Sequence, residues 1–280
     1  MIFVMENNFI FDMLTMTARR MDAPPLFGSF HIAAALAAAF AAIVCAVIFS
    51  ERIAASPHPE KALIKVLSSA GWLLVILEVY KQLFLYFIVN GGAFDLWFFP
   101  FQLCSVPMYL CILLPFVKGR VRSTFLTFMS GYTFISAAAA LIYPEDFLRP
   151  YVSLTVHGFL WHGILLFISL LIMICKAADP SAKGLLRAAG LFACLCAAAV
   201  CINAAAEPVM QNIHISHPEV AHDWAAMFYL NPYHISPQPL VGSVQKTAGI
   251  PAGLLLYALV IAFLASFLQS LYRSLPNLRR

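Results

Sequence analysis

The chain alternates long apolar stretches with short polar ones and lacks the half-buried periodicity of a water-soluble fold. Seven stretches stand out, at about 29–49, 64–89, 96–117, 124–143, 152–175, 187–206 and 249–271. Each comes close to the ~20 apolar residues that a helix needs to cross a hydrocarbon core. Residues 1–28 are different in kind. Phe9-Ile10-Phe11, Met13-Leu14 and Arg19-Arg20 predict a short helix lying in an interface, stopped by Asp22-Ala23-Pro24-Pro25. The long connection at about 207–248 is rich in His and Pro. Its Asn231-Pro232-Tyr233 and Pro237-Gln238-Pro239 predict turns that lid one end of the helices. The expected organisation is a segment at 1–28 on the external side, followed by one all-α, seven-helix transmembrane domain over 29–280 with its lid at 207–248.

Composition agrees with the pattern. The chain is 62% hydrophobic and 11% charged, where a soluble domain carries about a quarter charged residues. Residues 1–21 begin apolar but are broken by Glu6, Asn7, Asn8 and Asp12, so no signal peptide is expected. The seven cysteines form no CxxC and mostly lie in apolar runs, which fits neither a disulfide framework nor a zinc site. Loop charge sets orientation. Arg52, Lys61, Lys118, Arg120, Arg122, Lys176, Lys183, Arg187, Arg273, Arg279 and Arg280 fall in one set of connections, and Arg19, Arg20, Arg149 and Lys246 in the other. Eleven against four places the first set in the cytoplasm, with the N-terminus outside and the C-terminus inside. The net charge of +4 therefore reports orientation, and no nucleic-acid partner is expected.

Polar groups inside the apolar stretches are costly and usually face the bundle interior. His31 opens the first stretch. Glu78 and Lys81 share a face of the second, three residues apart. The third carries Gln102 and Cys104 beside Pro107, which has no N–H and is expected to bend a continuous helix there. The fifth carries His157 and His162, and the sixth Asn203. At 1.5 Å per residue, Cys104 and Lys81 lie roughly 12 Å from the outer ends of their helices, His162 roughly 15 Å and His157 roughly 8 Å. A lone buried cysteine ordinarily behaves as a small hydrophobe. The convergence of all these groups on the external half of the bundle favours a functional Cys104. His157 and His162, about 140° apart around one helix, cannot both point at it. His214, His217, His222 and Asp223 in the lid have no zinc spacing, and Pro218 interrupts them, so no metal or other cofactor is expected.

Taken in order, Phe27-Gly28-Ser29-Phe30-His31, Glu78-x-x-Lys81, Pro100-Phe101-Gln102-Leu103-Cys104, the Pro144 turn and His162-Gly163 resemble the YwaF-type bacterial membrane proteins and their eukaryotic relative, transmembrane protein 164. The resemblance runs over about residues 26–175; the last two helices match in character only. It implies a multi-pass protein of a bacterial cell membrane and a phospholipid-remodelling acyltransferase with a cysteine–histidine pair, carried here by Cys104 and His162. Phospholipids or lysophospholipids are the implied partners. Where the family more usually has histidine before Leu-Cys, this chain has Gln102. Glu78, Lys81, His31, Gln102 and Asn203 are the supporting or substrate-binding candidates. A lipid hydrolase using the same pair, and a transporter or receptor using the pocket for binding, remain the rival readings of the residues.

Overall fold

Inside hydrocarbon the main chain satisfies its polar groups only in helices or closed barrels. This chain uses helices. In the computed structural model, which describes residues 9–212 and 222–274, the pairing outside helices is limited, among those residues, to one isolated bridge between Arg20 and Tyr151. The elements are α1 (Phe9–Thr17), α2 (Ser29–Ala54), α3 (Pro59–Phe84, continued by a π turn at Leu85–Val89), α4 (Val106–Leu113), α5 (Gly119–Phe128), α6 (Phe134–Ile142), α7 (Val152–Ile174), α8 (Ala182–Met210), α9 (Pro239–Ala248) and α10 (Ile250–Ser274). A π turn at Met129–Thr133 fuses α5 and α6 into one rod. Short 3-10 turns sit at Leu96–Phe98, Glu145–Phe147 and Met227–Tyr229. Among the described residues, six helices are long and apolar enough to cross a membrane: α2, α3 with its π turn, the α5–α6 rod, α7, α8 and α10. The protein is a multi-pass integral membrane protein.

The third apolar stretch departs from expectation. It is not one continuous helix bent at Pro107. A 3-10 turn and an irregular run precede α4, and Pro107 sits in the first turn of α4. There its missing N–H costs nothing, because the first N–H groups of a helix have no partner inside it. With eight residues, α4 rises only about 12 Å. The stretch nonetheless runs antiparallel to α3 along its whole length. Gln82 Nε2 donates to the Phe98 carbonyl at 2.5 Å. At mid-height, a Cβ added at Gly71 would lie 2.7 Å from that of Cys111. At the far end Arg122 pairs with Glu60 at 2.5 Å. From Glu60 to Gln82 is about 33 Å of helix, enough to cover a hydrocarbon core. The irregular backbone is tolerated because protein surrounds it: Leu103, Ser105 and Val106 are all buried.

Two ends of the bundle follow. The basic end gathers the α2–α3 turn, the start of α5 and the end of α7, where Asp179 pairs with Arg187 at 2.6 Å. The Ser181 hydroxyl, with Arg187, holds the Asp179 carboxyl below its usual range. The lid end gathers the three 3-10 turns and the N-terminal segment. Helix α1 buries Leu14 against Phe84, Leu85, Val89, Tyr151 and Leu154. Its outer face exposes Phe9, Ile10, Met13 and Met16, the expected pattern of an interfacial helix. Met21 N–H donates to Pro150 O and Val152 N–H to Arg19 O, which ties this segment to the start of α7.

Candidate active site

Helix α7 forms one wall of the site. At 100° per residue, Gly158, Trp161 and Leu165 share its inner face, with His157 and His162 on either flank. Trp161 Nε1 donates to the Cys104 carbonyl at 3.2 Å, so the cysteine-bearing turn is fastened to the α7 face between the two histidines. Cys104 is half-buried, one residue ahead of Ser105, the N-cap of α4. The N-terminal end of a helix favours nearby negative charge, including that of a thiolate.

Of the three histidines in the apolar helices, His31 uses both ring nitrogens, while His157 and His162 each keep one free among the described residues. His31 uses both nitrogens: Nδ1 accepts from Phe27 N–H at 3.0 Å and Nε2 donates to Leu141 O at 2.9 Å. It fastens the start of α2 to the end of α6 and has no nitrogen left for a proton. His157 Nε2 donates to Leu77 O at 3.1 Å. His162 Nδ1 donates to Gly158 O at 2.8 Å, which fixes the tautomer whose Nε2 lone pair is basic. The ring of Phe147 stacks on the His162 ring at 4.8 Å. It reaches that position only because residue 158 is glycine; a Cβ there would lie 2.3 Å from Phe147. Gly163, by contrast, faces Ala38 of α2 at 3.5 Å. Among the described residues no hydrogen bond joins the Cys104 sulfur to either histidine ring.

Glu78 is buried, with one carboxylate oxygen 2.9 Å from Lys81 Nζ and the other accepting from Gln82 Nε2 at 2.7 Å. Lys81 lies 5.9 Å over the Trp161 ring. Glu78 thus orients both the cation facing the site and the amide that holds Phe98. Exchanging the charges, Glu78→Lys with Lys81→Glu, is expected to recover part of the folded yield lost in Lys81→Ala while leaving any phosphate-dependent activity lost. Detergent-extracted yield and turnover read the two effects separately.

Gln102 and Asn203 both bind main-chain groups of the lid. Gln102 Nε2 donates to Ala226 O at 2.9 Å, and its Oε1 accepts from Phe228 N–H at 2.8 Å. Asn203 donates to Met227 O at 3.0 Å and accepts from Met227 N–H at 2.7 Å. Two side-chain amides, one in the irregular run before α4 and one on α8, therefore hold three consecutive lid residues. The held turn is unusual, with φ of 55° at Phe228 and 57° at Tyr229, a conformation that non-glycine residues rarely adopt. It carries Tyr229 inward, where its hydroxyl donates to Asp146. Burial and the Asp146 carboxylate push the Tyr229 phenol well above its ordinary range, so it stays a donor. Asp146 lies within electrostatic range of both Cys104 and His162. Elsewhere on the lid, His222 stacks on Trp97 at 3.9 Å beside Asp95, and His234 pairs with Glu207 at 2.8 Å. His214 and His217 lie outside the described residues.

Sequence reasoning passed over Trp161, Asp146 and Tyr229. Trp161 had a signal, an indole N–H beside His162 in a helix that must satisfy every donor. Asp146, two residues after Pro144, has no signal that sets it apart from any carboxylate in a turn. Tyr229 had none, because its inward direction comes from the left-handed turn.

Among the curated proteins and the solved structures, nothing matches this chain. A match to the TMEM164 family spans residues 26–271, beyond α7 and through α8 and α10. Coverage of that extent, over the elements that carry Glu78, Cys104, His162 and Asn203 together, shows that the chain belongs to the TMEM164 family.

Proposed function

We propose that this protein is a membrane-embedded acyltransferase that remodels phospholipids by transacylation. Family membership is consistent with an acyltransferase-like role in the membrane. The observation that carries the mechanism is the Trp161–Cys104 hydrogen bond. It fastens the main chain of the Cys104 turn to the helix that carries His162, whose Nε2 can take a proton. His162 accepts the Cys104 proton, and the thiolate attacks the carbonyl carbon of a phospholipid ester. The ester C–O bond breaks, the lysophospholipid leaves with the proton from the imidazolium, and the acyl group remains on sulfur as a thioester. An acceptor hydroxyl then loses its proton to His162 and attacks the thioester. The C–S bond breaks and the thiolate is reprotonated. Lys81 faces the site as the group for a lipid phosphate. His31, with both nitrogens used, supports the helix start only.

The topology that accompanies this reading has seven crossings. The descent from Phe98 to Arg122 alongside α3 supports counting the broken stretch as one of them. The basic loops then lie in the cytoplasm, and the site opens under an external lid. Acyl-CoA is cytoplasmic and highly charged, so a site in that half takes its acyl group from phospholipid. A reporter fused after Arg280 is expected to read cytoplasmic and one inserted within 207–248 external; the same side for both would remove the seven-crossing topology. The function itself is tested with purified protein, a phospholipid carrying a labelled acyl chain and an unlabelled lysophospholipid. Label is expected in new phospholipid. Label released only as free fatty acid would make the protein a hydrolase, and no turnover under any acceptor would leave it a binding protein.

A further inference from the structure

The other face of α7 borders a second feature. Helix α2 packs along α7 and leaves its flank toward α3 open. The resulting groove has a volume of about 810 Å³, and Ala38, Ala42, Ser69, Leu73, Leu160 and Gly163 are among its lining. On the helical wheel these α7 positions oppose Trp161 and Gly158, so the groove is separate from the Cys104 site. It runs from Phe30, edge-on to Phe159 at 6.1 Å, to Phe49, edge-on to Phe167 at 5.7 Å. Phe30 and Phe49 are about 28 Å apart along α2. A groove of that length with this apolar lining accepts an extended alkyl chain.

Polar character enters the groove toward the basic end. Lys65 lines it there, one turn from Ser69. Arg52 lies 5.9 Å over the ring of Phe49, itself a lining residue. Of the two carboxylates that α2 and α3 carry at this end, Glu60 is taken by Arg122, and Glu51 stands about 200° around α2 from the groove residue Phe49. We infer that this groove binds one acyl chain of an anionic phospholipid from the leaflet at the basic end, with its phosphate between Lys65 and Arg52. Bulk lipid tails are as apolar as the groove, so no hydrophobic drive retains the chain. Retention comes from close contact with three helices and from the two cations at the interface, where Lys and Arg place their charges while their stems cover apolar surface. The bound chain fills the gap between α2 and α3. The inference does not depend on acyl transfer.

The test uses the full-length protein in nanodiscs of phosphatidylcholine containing a phosphatidylglycerol with a mid-chain diazirine. After irradiation, adducts are expected to concentrate on the groove residues of α2, α3 and α7, with few on the exposed face of α10. Lys65→Gln is expected to reduce groove labelling about fivefold, the effect of losing one interfacial cation. Ala38→Phe with Ala42→Phe is expected to abolish it by filling the groove. If that double variant does not fold, the exposed Lys65 substitution decides alone. Adducts spread evenly over all lipid-facing surfaces, or groove labelling unchanged by Lys65→Gln, would overturn the inference. Equal groove labelling by a diazirine phosphatidylcholine or a diazirine fatty acid would overturn the assignment to an anionic phospholipid.

Discussion

Cys104→Ala is expected to reduce acyl transfer to background while the protein extracts and elutes as the wild type does. The substitution removes a half-buried sulfur and leaves the Trp161 bond to the main-chain carbonyl in place. His162→Ala is expected to lower the rate by about 10²- to 10⁴-fold, the usual contribution of a positioned proton acceptor. His157→Ala should retain most activity, because its ring lies on the other flank of Trp161 from His162. The double variant of Cys104 and His162 should lose little beyond Cys104→Ala alone, since residues acting as a unit are far from additive. Losses that multiply would mean that the two act independently.

The lid carries the second large effect. Asn203→Leu would strand the N–H and C=O of Met227, both buried, at about 1–3 kcal/mol for each unsatisfied group. Gln102→Leu would do the same to Ala226 O and Phe228 N–H. Each is expected to lower stability in detergent by about 2–6 kcal/mol. Each should also release the left-handed turn and with it the Tyr229–Asp146 bond. Gln102→His is the informative contrast. A neutral imidazole offers one donor and one acceptor, the same set that the amide uses here. Histidine, the more usual residue at this position among the resembling proteins, should therefore keep both the melting temperature and the activity. If Gln102→His melts with Gln102→Leu, the clamp is not what this position supplies.

Much of this was legible in the chain. Apolar length alone gave six of the seven stretches as spanning helices, because lipid forces a lone stretch to satisfy its own main chain. Glu78 and Lys81 were legible as neighbours from helical spacing, and the convergence of polar groups under one end came from counting residues. Pro107 misled, because a proline that kinks a helix interior and one that begins a helix look alike in sequence. The roles of Gln102 and Asn203 were hidden for another reason. Their partners are main-chain groups more than a hundred residues away in one case and 24 away in the other, and no residue type marks a carbonyl about to be bound. Tyr229 was hidden behind a backbone conformation that its neighbours do not announce.

The acyl group on sulfur is the most direct test. Purified protein is incubated with a phospholipid of one defined acyl chain, quenched in acid, and its cysteine peptides are weighed. The peptide containing Cys104 should carry the mass of that single acyl group. The adduct should be released by neutral hydroxylamine and be absent from Cys104→Ala. An adduct on another of the seven cysteines, or continued transfer by Cys104→Ala, would contradict the mechanism.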